Sequence, residues 1–178
     1  MTAIPRPSVR AATVRDAPEL AAIQARSWEA AYQGLLPQDF LDKLDMANGT
    51  ERWERALLAA QWPKAGVMVA VPGPEMVGFA RFGPTRDKGE DTALVAEITQ
   101  IYIAPEVWGR GLGKRLMSTA LARLAASGYA QVTLWVLDTN SRARRFYERC
   151  GWVQDGAARR DDGYSFPMAD VRYRKHLI

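Results

Sequence analysis

Apolar positions along this chain follow two periods, with a helical run first, then a β-rich run, then an alternation of the two. After Asp16, Leu20, Ile23, Trp28 and Ala31 recur at roughly helical spacing up to Tyr32. Asp16 followed three residues later by Glu19 predicts a capping-box start for that helix. Pro37 opens a second short helix, PQDFLDKL, and residues 51–60 read as a third. VMVAV (67–71) and MVGFARF (76–82) are apolar, β-rich runs joined by PGPE, the pattern of a hairpin. AEITQIYI (96–103) predicts a strand that Pro105 ends. Over residues 114–127, Leu116, Met117, Ala120, Leu121, Leu124 and Ala125 mark one helical face, with Gly128 as its stop. QVTLWVL (131–137) predicts another strand. A helix capped by Asn140 or Ser141 then carries Ala143, Phe146, Tyr147 and Cys150 on one stripe and ends at Gly151. MADVRYRKHL is a last strand-like run, and residues 9–14 are short and β-compatible.

Helices, a hairpin, then strand–helix–strand–helix–strand imply a mixed α/β sheet with helices on both faces. Residues 1–8 read as a Pro-rich lead-in and 9–178 as a single domain, with no repeat or dividing linker. At 178 residues, 48% hydrophobic and 25% charged, the chain matches a soluble globular protein. MTAIPRPSVR has no apolar run and so does not read as a signal peptide, and no stretch approaches the roughly 20 apolar residues of a membrane span. One cysteine, Cys150, excludes an intrachain disulfide and cysteine-rich zinc sites, which fits a cytoplasmic location. One histidine, His176, two residues from the C-terminus, argues against Ser–His triads and two-histidine metal sites, and no metal is expected. The net charge of +4 favours an anionic ligand. The basic residues are scattered, which favours a phosphate-rich cofactor over nucleic acid.

EITQIYIAPEVWGRGLGKRLM (97–117) carries the chemistry. A strand runs through Gly109, Arg110, Gly111, Leu112 and Gly113 straight into an amphipathic helix. Glycines at such a junction let backbone amides approach a ligand, and the helix N-terminus adds free N–H groups and a positive dipole end. Together these cradle phosphates, with Arg110 and Lys114 adding charge. The glycines could equally serve only a tight turn. The spacing GxGxG is not GxGxxG, and Lys114 followed by Arg115 is not a P-loop ending, so dinucleotide and P-loop sites are disfavoured.

These residues resemble the GNAT superfamily of N-acetyltransferases. Its loop, [QR]-x-x-G-x-[GA], falls on Trp108-Gly109-Arg110-Gly111-Leu112-Gly113, and its block N-x-x-A-x-x-[FL]-Y-x-x-x-G-[FW] falls within LWVLDTNSRARRFYERCGW (134–152). The resemblance implies a mostly antiparallel central sheet flanked by helices, with strands splayed at the cofactor site, and acetyl-coenzyme A as co-substrate. By that resemblance Ile101, Tyr102 and Ile103 pair with the pantetheine arm, and the amides of Gly109 to Lys114 hold the pyrophosphate. Asn140 and Ala143 match further cofactor positions, and Asn140 also suits a plain helix N-cap. Trp108 stands where the family has Gln or Arg, and Arg110 is the candidate to replace that side chain.

Amine acetylation needs a base for the ammonium, a donor for the thioester carbonyl and an acid for the leaving thiolate. Tyr147 matches the family's acid, and a phenol's pKa of about 10 suits an alkyl thiol; packing on its helix's apolar stripe is the alternative. The backbone N–H near Ile103 would hold the carbonyl oxygen. Glu97, four residues before Ile101, matches the glutamate of the histone acetyltransferases, and an even offset along a strand predicts the same face as Ile101 and Ile103. A salt bridge to an arginine at the core edge is its other reading, with Asp138 as reserve base. For the acceptor, Trp28, Glu29, Tyr32 and Asp162 are candidates. A small-molecule amine is the leading acceptor. Protein or N-terminal acetylation is the alternative, disfavoured for ribosomal proteins because Trp135 stands where such enzymes carry glutamate. A non-catalytic acyl-coenzyme A sensor is a third reading. No membrane or nucleic-acid partner is expected, and a homodimer is compatible with the chain.

Overall fold

The computed structural model of the protein describes residues 8–42, 48–161 and 166–177. In chain order these form β1 (Ser8–Ala11), α1 (Ala17–Tyr32), α2 (Gln38–Asp42), α3 (Gly49–Leu58), β2 (Gly66–Val71), β3 (Gly78–Pro84), β4 (Val95–Ile103), α4 (Leu112–Ala126), β5 (Gln131–Leu137), α5 (Ser141–Arg149), β6 (Val153–Asp161) and β7 (Met168–His176). The end of the second expected helix, residues 43–44, and Asp162 lie outside the described residues. One seven-stranded sheet runs β1-β2-β3-β4-β5-β7-β6. Every neighbouring pair is antiparallel except β4 and β5.

Helices cover both faces, which is why β2 reads as an unbroken apolar run. Met68 and Ala70 join Leu116, Met117, Ala120 and Leu124 of α4 in one core. Val67 and Val69 join Leu20 and Ile23 of α1 and Trp53 of α3 in the other. A side chain of this size contributes about 1.5–3 kcal/mol when fully buried.

In β4 the alternation is broken once. Arg81 pairs with Gln100 but Phe82 pairs with Ile98, so Thr99 is an extra residue on β4. Such a bulge flips the parity of everything beyond it. Ala96 and Ile98 therefore share the α4 face with Ile101 and Ile103, and Tyr102 packs on the α1 side.

Two expectations at this level need correction. The reciprocal cap before α1 is Thr13 with Asp16, whose carboxylate accepts the Thr13 N–H at 2.7 Å; Glu19 instead accepts from the Met76 N–H at 3.2 Å. β6, over Val153–Asp161, is a strand that the apolar pattern does not predict. Its residues VQDGAARRD show no alternation, because it is an exposed edge strand carrying Arg159 and Arg160.

Ion pairs pin the ends of the sheet. Arg10 holds both oxygens of Asp16, at 2.8 and 2.9 Å. Arg172 joins Asp87 at 3.0 Å and Asp155 at 2.8 Å, and Arg174 joins Asp155 at 3.1 Å and also Glu90. This knot ties the loop after β3 to β7. The Arg10 guanidinium holds the Asp16 carboxyl below its ordinary 3.8. Burial pushes Asp155 up, but the Ala157 N–H, Arg174 and Arg172 together bring it below 3.8 as well. Both groups take up protons more readily in the unfolded chain, so their stabilisation is complete above about pH 4 and is lost as pH falls through the lower folded values. Asp16→Asn is expected to melt below the parent at pH 7, with the gap narrowing in thermal scans as pH falls below the ordinary carboxyl value of 3.8.

Candidate active site

Strands β4 and β5 pair only from Val95 to Glu97, opposite Gln131 to Thr133. Beyond that they part, and a cleft of about 880 Å³ opens between them. It passes through the sheet: Ala143, Phe146 and Tyr147 of α5 line one side, while Trp28 and Tyr32 of α1, Trp135 of β5 and Asp170 of β7 line the other. The Ala104 N–H bonds Val77 O at 2.8 Å. Antiparallel alternation then turns the backbone groups of Tyr102 toward Phe79 and those of Ile101 and Ile103 into the gap. Ile101 and Ile103 thus offer free strand-edge groups; Tyr102, expected to do so, is committed to β3.

At the mouth, Pro105–Val107 form a single 3-10 turn leading into Gly109 and Gly111, both at φ +77°. A side chain at either position would be strained, although open space surrounds both. Gly111 is the N-cap of α4 and supplies no side-chain cap. The first intrahelical bond comes from the Arg115 N–H to Gly111 O, so the amides of Leu112, Gly113 and Lys114 keep the character of open helix-end donors. Gly109, Gly111, Leu112, Gly113 and Lys114 line the cleft; Arg110 is exposed and does not. Trp108 turns inward instead. Its indole N–H donates to Ile103 O at 2.7 Å, and the Arg142 guanidinium lies 3.3 Å from the centre of its ring. Both groups of Ile101 and the N–H of Ile103 therefore remain open along the strand edge.

Tyr147 is 9% exposed, packed edge-on against Phe146 and Trp152 and tilted against Tyr173. Burial, with smaller contributions from Tyr32 and Cys150, pushes its phenol well above the ordinary value, so it stays protonated. Burial raises Tyr102 and Tyr32 as well, and the neighbouring Tyr32 and Tyr147 phenols push Tyr102 further up. The three phenols thus share the centre of the cleft. Open amides beside Lys114, followed by free groups on a strand edge, suit a ligand with a diphosphate at one end and an amide-bearing arm.

The sequence model of the acetyltransferase (GNAT) family matches residues 25–152, well over half of the chain. The chain belongs to the GNAT acetyltransferase family. An uncharacterized N-acetyltransferase of Archaeoglobus fulgidus is 34% identical over 122 residues, 68% of this chain and 79% of that protein. One of Bacillus subtilis is 29% identical over 134 residues, 75% of this chain and 73% of that protein. Among solved structures, PaiA N-acetyltransferase from Thermoplasma acidophilum, in complex with coenzyme A, superposes with a TM-score of 0.79 at 19% identity, covering 96% of this chain and 99% of that one. The chain is thus an acyltransferase of the N-acetyltransferase kind, and no helix among the described residues is long and apolar enough to cross a membrane.

Besides Arg110, three expected site residues of this acetyltransferase sit elsewhere. Glu97 lies on the face opposite Ile101 and Ile103, because the Thr99 bulge cancels the even offset between them. It is 2% exposed, and its carboxylate accepts from Arg86 Nη2 at 2.7 Å, and from Arg86 Nε and N–H at 3.1 Å each. Glu97 borders a second hollow of about 520 Å³ with Arg86, Asp87 and Arg160, which shares Arg159, Met168 and Asp170 with the main cleft. Glu29 is exposed and outside the cleft: one position past Trp28 is a 100° turn around α1, whereas Tyr32 comes back to the Trp28 face. Asp138 does not border the cleft either.

Asn140 caps α5, its Oδ1 accepting the Ala143 N–H at 3.1 Å, and both residues line the cleft. Asn140→Ala is expected to cost about 1 kcal/mol of stability in chemical denaturation, with Asn140→Ser recovering most of it. Phe146, Arg142, Gln100, Met168 and Asp170 line the cleft as well. Phe146 stands inside the matched block; no local pattern marks the others.

Proposed function

We propose that this chain transfers the acetyl group of acetyl-coenzyme A to a primary amine of a small molecule, by direct attack with both substrates bound. The observation that carries this reading is the cleft's passage through the sheet between β4 and β5, which lets donor and acceptor enter from opposite faces and meet at Tyr147. The coenzyme A held by the Thermoplasma structure supports the same donor here. The amides from Gly109 to Lys114 hold the diphosphate, with Lys114 beside it, and Trp108 closes the Ile103 carbonyl behind the loop. Free groups on Ile101, the side of Asn140 and the small Ala143 receive the pantetheine arm. The Ile103 N–H polarises the thioester carbonyl.

The amine nitrogen attacks the carbonyl carbon, the C–N bond forms and the C–S bond breaks. The thiolate takes the Tyr147 proton, and the phenol is re-protonated from solvent. The amine loses its proton to Asp170, directly or through water: Asp170 lines the cleft and is held through Oδ2 by Arg159 at 3.1 Å, whereas Glu97 lies outside the cleft with both oxygens on Arg86. Trp28 and Tyr32, in tilted contact at 4.7 Å, flank the acceptor.

A panel of small amines and one peptide N-terminus, read as thiol released from acetyl-coenzyme A, tests the reading. Turnover of a small amine supports it; turnover of the peptide alone moves the acceptor to proteins. Asp170→Asn is expected to lower amine kcat/KM about a hundredfold at unchanged acetyl-coenzyme A affinity. Glu97→Gln is expected to lower the melting temperature and leave kcat within a few-fold. Collapse of kcat in a fully stable Glu97→Gln protein would return the base to Glu97.

A further inference from the structure

Two side-chain atoms in the acceptor half of the cleft are buried with no hydrogen-bond partner among the described residues: Trp28 Nε1 and Gln100 Oε1. An indole N–H can only donate and an amide oxygen can only accept, so the two have complementary needs. Both residues line the cleft. The third such atom, Trp152 Nε1, belongs to the apolar core and does not. A buried donor or acceptor left unpaired is costly, and in a cleft the missing partner is naturally a ligand.

The fold brings these two atoms to the same side. Gln100 lies two residues before Tyr102, both beyond the Thr99 bulge, so it shares the α1 face on which Tyr102 packs, and Trp28 belongs to α1 itself. The Tyr102 hydroxyl is near enough to sense the Trp28 N–H yet falls short of hydrogen-bond geometry. Trp135, across the cleft, shows the contrast: its indole N–H is spent on the Asp87 carboxylate at 3.0 and 3.2 Å. The Trp28 ring itself is fixed by Tyr32 and by the cluster around Leu36, Leu41 and Leu137, so its N–H has a set direction.

We propose that the acceptor is an amine that also carries an oxygen able to accept a hydrogen bond, the Trp28 indole donating to that oxygen while Gln100 Oε1 takes an N–H of the amine. The proposal rests on the acetyltransferase reading above and narrows its acceptor. Amino alcohols and amino carbonyl compounds both meet it. Plain alkylamines and polyamines leave Trp28 unanswered and are discriminated against, because binding them seals an unpaired donor from water. Gln100 acts on every amine by positioning its nitrogen; Trp28 acts on the choice between amines.

The test compares 2-amino-1-phenylethanol (a hydroxyl) and phenylalanine amide (a carbonyl) with 2-phenylethylamine, which has neither oxygen. Thiol release gives kcat/KM for the parent, Trp28→Phe and Gln100→Met, with thermal melts confirming folding. The ratio of oxygen-bearing to oxygen-free amine is expected to fall about tenfold in Trp28→Phe, in the hydroxyl arm, the carbonyl arm or both, which names the oxygen. Since each ratio is compared across proteins, differences in amine basicity cancel. Gln100→Met is expected to lower kcat/KM about tenfold for all three amines, with acetyl-coenzyme A affinity unchanged. Ratios that Trp28→Phe leaves in place in both arms overturn the proposal. If no amine turns over, the small-amine reading fails on its own; calorimetry of the same amines on coenzyme A-loaded protein then reads the ratio as dissociation constants, and indifference to Trp28→Phe there overturns the proposal as well.

Discussion

Tyr147→Phe is expected to lower kcat by about a hundredfold or more while leaving acetyl-coenzyme A affinity close to the parent's. The substitution removes one hydroxyl from a ring that Phe146, Trp152 and Tyr173 hold in place, so the packing survives. What is lost is the proton for the departing thiolate. The burial that raises the phenol keeps it protonated, and the same apolar surroundings raise the basicity of the thiolate it serves. Steady-state kinetics with thiol detection, beside a binding titration, checks both halves. Undiminished kcat in Tyr147→Phe would remove this residue from the chemistry and leave it a packing residue of α5.

Gly111→Val is expected to weaken acetyl-coenzyme A binding at least tenfold with only a small loss of melting temperature. At φ +77° a β-branched residue is strained by about 1–2 kcal/mol or more. Nothing lies within 4 Å of the added Cβ, so a steric clash with the rest of the fold is not the cause. The turn relieves its strain by rotating, and the amides that follow it into α4 lose their common direction. Tryptophan fluorescence is a suitable readout, because Trp108 is built into the same loop. Unaltered affinity would mean that the glycines shape the turn without serving a ligand.

Much of this site was legible in the chain because its determinants are local. Glycines placed between a strand and an amphipathic helix announce an open helix end, and Asn140 three residues before Ala143 announces a cap. Trp28 and Tyr32, four apart, share a helix face, and the same rule would have removed Glu29. Where geometry depends on two strands at once, local spacing failed. The extra residue at Thr99 appears only in the pairing of β4 with β3, and it turns Glu97 from the cofactor side to Arg86. Asp170 reaches the cleft through the pairing of β7 with Leu137 of β5, which nothing within MADVRYRKHL discloses. β6 was missed because its exposed, charged edge lacks any period.

The measurement closest to the centre of this account is a calorimetric comparison of coenzyme A with pantetheine, which lacks the diphosphate and the nucleotide. The amide cradle at Gly109 to Lys114 predicts one coenzyme A per chain in the micromolar range usual for enzyme substrates, and pantetheine weaker by about a hundredfold or more. Equal affinities, or no heat from coenzyme A, would contradict it.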